Sequence, residues 1–303
     1  MRKVAPTLVL ACALVACGTS PGASAPTSPL PAETMAPAAV PVATPVPTSE
    51  PAPAPRARHV FVIVMENRAP AEALEGRYIA SLAREYAIAT SYFAISRPSL
   101  PNYLALTAGD TFGILDDAYH ALAKGGLGTQ LTAAGLTWRA YMEGMTKGCF
   151  DSPYPYALKH NPFAYYGGGC PDNVVPLSAL AADLAGATPR FVWITPDMCH
   201  DGHDCAVADA DAWLSRVVPE ITASRAWRDE GVLFITWDES DARNQVPLIV
   251  VAPTLVRQSS DRRYDHYSLL ATVQDVLGVP RLGQATGVEP LADLVTGLAV
   301  AGR

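Results

Sequence analysis

The stretch His59-Val60-Phe61-Val62-Ile63-Val64-Met65-Glu66-Asn67 decides the fold of this chain. Its apolar core is short, β-branched or aromatic, and free of polar alternation, which describes a strand buried on both faces of a parallel sheet. The run stops on an acid and an amide. Two other runs behave the same way: residues 191–195 meet Pro196-Asp197, and residues 232–237 meet Asp238-Glu239. In open parallel sheets, ligands sit outside the carboxyl ends of the strands. Core strands that all end on carboxylates therefore predict a site there.

Helical spacing fills the intervals. Tyr78, Ile79, Leu82 and Tyr86 mark a helix within residues 71–87, and residues 103–108 read as another, opened by Ser96-Arg97-Pro98-Ser99-Leu100-Pro101-Asn102 and ended by Gly109-Asp110. Residues 136–142 read as a strand ending near Glu143, and residues 149–172 as a loop rich in Tyr, Pro and Gly. Helices are expected over 177–184, 206–222 and 267–277, and a further buried strand over 246–252. Strands alternating with helices imply right-handed crossovers and an α/β fold, a three-layer α/β/α sandwich around a mostly parallel central sheet.

The N-terminus reads differently. Arg2-Lys3 precede an apolar stretch too short to span a bilayer, and Leu14-Val15-Ala16-Cys17-Gly18 has the pattern of a lipobox. Residues 1–17 are thus expected to be a lipoprotein signal peptide, with Cys17 lipidated and the protein held outside the cytoplasm on the bacterial cell membrane. Residues 18–57 carry eleven prolines among Ala, Ser and Thr, a composition that cannot bury a core and reaches on the order of 100 Å as a tether. Residues 58–303 are long enough for one large α/β domain, expected as a monomer.

The formal charge of −7 becomes −9 once the two cations Arg2 and Lys3 leave with the signal. That balance argues against nucleic acid or an anionic bilayer as the main partner. Cys149, Cys170, Cys199 and Cys205 remain, an even number outside the cytoplasm. Pairings of Cys149 with Cys170 and of Cys199 with Cys205 each bracket one loop. Zinc ligation is the rival, but the Cys-x2-Cys spacing is absent.

Ser99 lies between Pro98 and Pro101, which fix the backbone around it at a helix start where N–H groups favour an anion. A serine hydroxyl needs a base or a metal to become a good nucleophile. Glu66, Asn67, Asp238 and Glu239 offer the hard oxygen ligands that would hold a divalent ion beside it. Cys199-His200-Asp201-Gly202-His203-Asp204-Cys205 is the densest titratable cluster, and imidazole serves both as metal ligand and as general acid. Lys159-His160 has the charge to hold a phosphate, and His266 stands before the last helix.

Together Met65-Glu66-Asn67, Pro98 to Leu106, Lys159-His160-Asn161-Pro162, His203-Asp204, Asp211-Ala212-Trp213-Leu214, Thr236-Trp237-Asp238-Glu239 and His266-Tyr267 resemble the bacterial phosphoesterase family, over about residues 58–283. That family joins acid phosphatases and phospholipases C within the alkaline-phosphatase-like fold. The resemblance implies that Glu66, Asn67, Ser99, Asp238 and Glu239 form a metal site with the nucleophile. It implies phosphate or leaving-group contacts for His160, His203 and Asp204, the two histidines as catalytic residues, while Arg97, Lys159 and Asn102 are expected with Asp204 to bind substrate. Arg97 stands where the family often has His, which leaves phosphate charge pairing in place of proton transfer. Asp197 stands where relatives often carry Asn, so a second ion would fall to Asp197 with His200 or His266. The expected chemistry is metal-dependent hydrolysis of phosphate monoesters through Ser99. Phospholipase C or other diester hydrolysis is the enzymatic alternative, and a lipoprotein that captures phosphate or metal is the non-enzymatic one.

Overall fold

β1 (His59–Met65) is closed to solvent from Val60 onward, as its unbroken apolar run requires. The computed structural model describes residues 59–296, apart from 242, together with residue 298; the signal segment, Cys17 and the tether expected over 18–57 lie outside the described residues. After β1 come α1 (Pro70–Ala73), α2 (Arg77–Glu85), β2 (Ala87–Ala89), β3 (Tyr92–Phe93), α3 (Ser99–Ala108), α4 (Gly126–Ala133), β4 (Trp138–Met142) and α5 (Gly148–Asp151). The chain continues through β5 (Val174–Pro176), α6 (Leu180–Ala185), β6 (Phe191–Thr195), α7 (Val207–Ala223), α8 (Arg225–Arg228) and β7 (Gly231–Trp237). It closes with β8 (Leu248–Val251), β9 (Gln258–Ser260), β10 (Tyr264–Asp265) and α9 (His266–Leu277).

Eight strands form one sheet in the order β5-β4-β6-β1-β7-β8-β2-β9. Every neighbouring pair is parallel except the two made by β8, which runs against β7 and β2. Helix α2 packs on α7, with α6 and α8 beside it, while α3 packs on α9 and α4. The three-layer α/β/α architecture expected from the alternation of elements is therefore present.

Register places the site. Met65 of β1 lies opposite Trp237 of β7, so Glu66-Asn67 and Asp238-Glu239 leave the sheet side by side, and the Asp238 N–H donates to Met65 O at 3.0 Å. Met142 of β4 lies opposite Thr195 of β6, so Glu143 and Asp197 emerge as a second pair. Because β6 also flanks β1, with Ile194 opposite Ile63, both pairs share one edge of the sheet.

Two helices differ from their sequence spacing for identifiable reasons. The helix expected over 71–87 is broken into α1 and α2 at Gly76, where a Cβ would come within 2.6 Å of Asp211 Oδ1. That oxygen, brought by α7, accepts the Ile79 N–H at 2.9 Å and caps α2 from outside its own segment. Helix α3 begins at Ser99 rather than Tyr103, is buried along its whole length, and stops at Gly109, which takes the left-handed conformation at φ 70°.

Candidate active site

Glu66 is the hub. It is fully buried at the end of β1, and its two carboxylate oxygens face α3: Ser99 Oγ donates to Oε2 at 2.9 Å and Tyr103 OH donates to Oε1 at 2.5 Å. Ser99 and Tyr103 are four residues apart, one helical turn, and so point the same way. Behind Glu66 sits His160, almost entirely buried, with Nε2 3.2 Å from Glu66 Oε2 and Nδ1 3.3 Å from Asp201 Oδ2. Both contacts are ion-pair distances whose geometry falls short of a directed hydrogen bond. The imidazole stacks on Tyr103 at 5.2 Å and 13°.

Electrostatics follow from this arrangement. Burial opposes a charged imidazole, but Glu66 and Asp201 outweigh it and lift His160 to about 10. Burial also acts to raise Glu66; the His160 charge reverses this, aided by Tyr103 and Lys159, and holds the carboxyl below its ordinary range. Asp201 is pushed up to about 6 by burial and by Glu66, against the pull of His160. Asp238 is fully buried and stands well above the carboxylate range, through burial first and then through Glu66 and Glu239. Among the described residues its carboxylate makes no ion pair, and the His160 charge only partly offsets the rise.

Such a site invites a cation. Asn67 adopts φ 49°, and its backbone N–H donates to Asp238 Oδ1 at 3.2 Å. Asn67 Oδ1 and Asp238 Oδ2 are buried without a hydrogen-bond partner. Two orphaned hard oxygens next to Glu66 and Ser99 match the donor set of an oxygen-liganded divalent ion. Glu66, His160 and Asp201 also approach closely enough to share an ion, but a protonated His160 already supplies that trio with a positive charge. Glu239 is committed in part to Arg97, whose Nε lies 3.0 Å from Oε2.

The mouth carries the cations. Lys159 Nζ lies 3.1 Å from Asp117 Oδ2 and 3.4 Å from His203 Nε2, while Asp117 Oδ1 accepts the Leu100 N–H at 3.0 Å. His203 Nδ1 is 2.7 Å from Asp204 Oδ1, which orients its ring and leaves Nε2 facing Lys159. Ser99, Glu66 and Asp238 are closed to solvent, whereas the side chains of Arg97, Lys159 and His203 are partly open.

Three residues sit differently from their expected places. Asn102 is fully used by the loop that leads into Ser99: Oδ1 accepts from Ile95 and Ser96 N–H at 2.9 Å each, and Nδ2 donates to Ser96 O and Pro98 O. It shapes the turn before Ser99 and has no polar atom left for a substrate. His160 lies beneath Glu66 rather than at the mouth. His266 does not join Asp197 and His200; burial pushes it down to about 4, and its ring nitrogens face Tyr92 OH at 2.8 Å and Asp238 O at 2.6 Å. Asp197 and His200 instead meet Glu143, with His200 Nδ1 3.0 Å from Glu143 Oε2 and 3.4 Å from Asp197 Oδ1.

The cysteine loops close as their spacing suggests, Cys149 with Cys170 and Cys199 with Cys205. The second bridge bounds the loop that carries His200, Asp201, His203 and Asp204, and the Glu66 N–H donates to Asp201 O at 2.9 Å, tying that loop to β1. Tyr103, Asp201 and Asp117 complete the site. Of these only Tyr103, one turn after Ser99, and Asp201, inside the quoted cluster, have a signal in the sequence.

The phosphoesterase family description matches residues 72–280. The chain belongs to the phosphoesterase family. With the phosphatidylinositol-3-phosphatase of Mycobacterium tuberculosis this phosphoesterase shares 32% identity over 252 residues, covering 79% of this chain and 83% of that protein. With a probable acid phosphatase of Kluyveromyces lactis it shares 28% over 267 residues, spanning 62% of that longer relative. Among solved structures, an alkaline phosphatase superfamily protein from Vibrio parahaemolyticus superposes with a TM-score of 0.59 at 13% identity, covering 80% of this chain and 74% of the other. That likeness is one of fold. Membership makes the chain a hydrolase of phosphoric esters, and its two disulfides belong to an oxidising, extracytoplasmic compartment.

Proposed function

We propose that this phosphoesterase is an acid phosphatase that cleaves phosphate monoesters through Ser99, with a divalent ion held by Glu66, Asn67, Asp238 and the serine oxygen, and Glu239 at its edge. One observation carries the reading: the Ser99 hydroxyl donates to Glu66 beside two buried oxygens, Asn67 Oδ1 and Asp238 Oδ2, that lack partners. When bound, the ion supplies Lewis-acid polarisation of the phosphoryl oxygens and a lowered pKa for the serine. The chain's residues do the rest. Ser99 Oγ passes its proton to Glu66 Oε2, to which it already donates, and forms the new bond to phosphorus as the bond to the ester oxygen breaks, while the departing alkoxide takes its proton from His203 Nε2 or from water. Water then releases phosphate from Ser99 and restores the hydroxyl. Arg97 and Lys159, now paired with Glu239 and Asp117, are the cations that meet the incoming dianion.

A monoester dianion can draw Arg97 and Lys159 from their carboxylates better than a diester, which has one fewer charge and a second group to house. Cys17 lipidation belongs to the same reading and would tether the enzyme to the membrane; Cys17→Ser that remains in the membrane fraction argues against it. The decisive test uses p-nitrophenyl phosphate with metal restored after chelation. Ser99→Ala should lose turnover while its circular dichroism spectrum is retained, and acid-quenched wild-type enzyme should carry phosphate on Ser99. Turnover by Ser99→Ala at a comparable rate would transfer the attack to water. Faster cleavage of bis-p-nitrophenyl phosphate than of any monoester would replace the monoesterase with a diesterase.

A further inference from the structure

A mouth that receives a dianion has no direct use for a further carboxylate, yet Asp117 stands in this one. Its Oδ1 accepts the Leu100 N–H at 3.0 Å, and its Oδ2 accepts from Lys159 Nζ at 3.1 Å. Leu100 follows Ser99 in the first turn of α3, where backbone N–H groups have no partner within the helix, and the N-cap residue Pro98 offers no side-chain cap. Lys159 reaches His203 at 3.4 Å and helps to hold the Glu66 carboxyl low. Asp117 also acts to raise Glu239, so its charge is felt across the same site.

An N–H at a helix start and an ammonium group are the donors that phosphoryl oxygens take. A phosphoryl group bonded to Ser99 shares that helix start with the Leu100 N–H. The segment that carries Asp117 keeps its shape without the carboxylate. Asp116 Oδ1 accepts the Ala118 N–H at 3.0 Å and lies 2.6 Å from His120 Nε2. Tyr119 packs on Phe150 at 5.3 Å and on Tyr165 at 5.2 Å, and the Leu122 N–H donates to Tyr165 O at 2.8 Å. None of these ties uses Asp117. Its side chain is 31% open to solvent, so turning it out into water gives up only one backbone bond and a partly exposed ion pair.

We propose that Asp117 is a stand-in for the phosphoryl group: it holds the Leu100 N–H and Lys159 until a substrate dianion displaces it, and so weakens every anion that enters. The inference rests on the phosphatase reading. It gives the phosphoryl subsite of that reading a backbone donor, the Leu100 N–H, and an internal competitor.

Crystals of the wild-type protein with vanadate, a phosphoryl analogue, and metal restored read the exchange directly and need no variant to fold. Vanadate oxygens should take the Leu100 N–H and Lys159 Nζ, with the Asp117 carboxylate turned out. Vanadate at Ser99 with Asp117 still on both donors overturns the proposal. In solution, Asp117→Asn removes the charge at nearly constant shape, and an amide with one acceptor oxygen cannot hold both donors. Its dissociation constant for inorganic phosphate by calorimetry, and its KM for p-nitrophenyl phosphate, should fall about threefold or more, the scale of a partly exposed ion pair. A purely structural role moves both the other way, so unchanged or weaker phosphate binding by a variant with the wild-type circular dichroism spectrum overturns the proposal. Asp116→Asn removes the same charge one residue away without freeing either donor and should shift both values by less than about twofold in ordinary salt. An equal gain from Asp116→Asn means that net charge alone is at work and also overturns it. Turnover of p-nitrophenyl phosphate with Asp117 unmoved removes only the stand-in, whereas no turnover and vanadate bound away from Ser99 remove the phosphatase reading itself.

Discussion

Replacing Tyr103 with Phe removes one hydrogen bond and almost nothing else. The ring can keep its stack on His160 at 5.2 Å and its tilted contact with Trp193 at 6.2 Å, while Glu66 Oε1 loses the hydroxyl that donates to it at 2.5 Å. Because Glu66 is fully buried, water cannot take over the bond. A hydrogen bond to a charged group contributes about 1.5–3 kcal/mol. In a domain of this size each kcal/mol moves the melting temperature by about 2–4 °C, so the variant should melt roughly 3–12 °C lower in the presence of chelator. A carboxylate freed to rotate should also hold the ion and Ser99 less well, lowering kcat more than it raises KM. Tyr166→Phe is the control, since that hydroxyl meets only the neutral Thr107 at 2.8 Å and should leave kcat unchanged. Thermal denaturation by circular dichroism, followed by steady-state kinetics, reads both effects. If Tyr103→Phe melts within a degree of wild type and turns over equally fast, the bond to Glu66 does not hold the site together.

The metal-free protein should be more stable in mild acid than in base. His160 is raised from its ordinary value to about 10, so its contribution is complete below about pH 6.5 and is lost as pH climbs toward 10. Asp201, raised to about 6, favours the protonated form in the fold and pulls in the same direction between its ordinary range and pH 6. Glu66, lowered, sets the acid limit, since its contribution is lost as pH falls below the usual carboxylate range. Urea midpoints from pH 5 to 9 in chelator should therefore fall with pH, and a flat or rising series would contradict the buried imidazolium. The Cys199–Cys205 bridge, spanning six residues, contributes about 2 kcal/mol by loop closure. Cys199→Ser with Cys205→Ser should lower kcat by loosening Asp201 and His203, and unchanged kinetics would mean that the tie from Glu66 to Asp201 suffices.

The long strands were legible because burial on both faces leaves a mark in the sequence itself. Residues 60–65, 191–195 and 232–237 have no polar alternation, and their ends delivered Glu66, Asn67, Asp238 and Glu239 to one edge through the register of β1 and β7. Strands β2, β3, β5, β9 and β10 have two or three residues each, too few to show a period. The reversed direction of β8 was equally hidden, since a fully buried antiparallel strand has the same composition as a parallel one. In loops the sequence names residue types without their depth. Lys159 and His160 are neighbours, yet one is partly open at the mouth and the other lies under Glu66. Asn102 looked like a ligand for substrate because nothing in its motif reveals that four backbone groups of the preceding turn already occupy it.

The buried carboxyl groups fall into two clusters whose charges are answered differently. Glu66, Asp201, Asp238 and Glu239 are four carboxyl groups held at or below a few per cent exposure, and leaving several ionised there is costly unless each has a partner. His160 answers Glu66 and Asp201, and Arg97 answers Glu239. Among the described residues the Asp238 carboxylate accepts only the Asn67 N–H, and Oδ1 of the Asn67 side chain is likewise buried without a hydrogen-bond partner. Glu143 and Asp197, on the neighbouring pair of strands, share the half-buried His200 and have no such orphaned oxygen among them. The remaining demand for positive charge therefore lies near Glu66 and Ser99, where the proposed ion would act on the serine hydroxyl, and the second cluster can be satisfied by its own histidine.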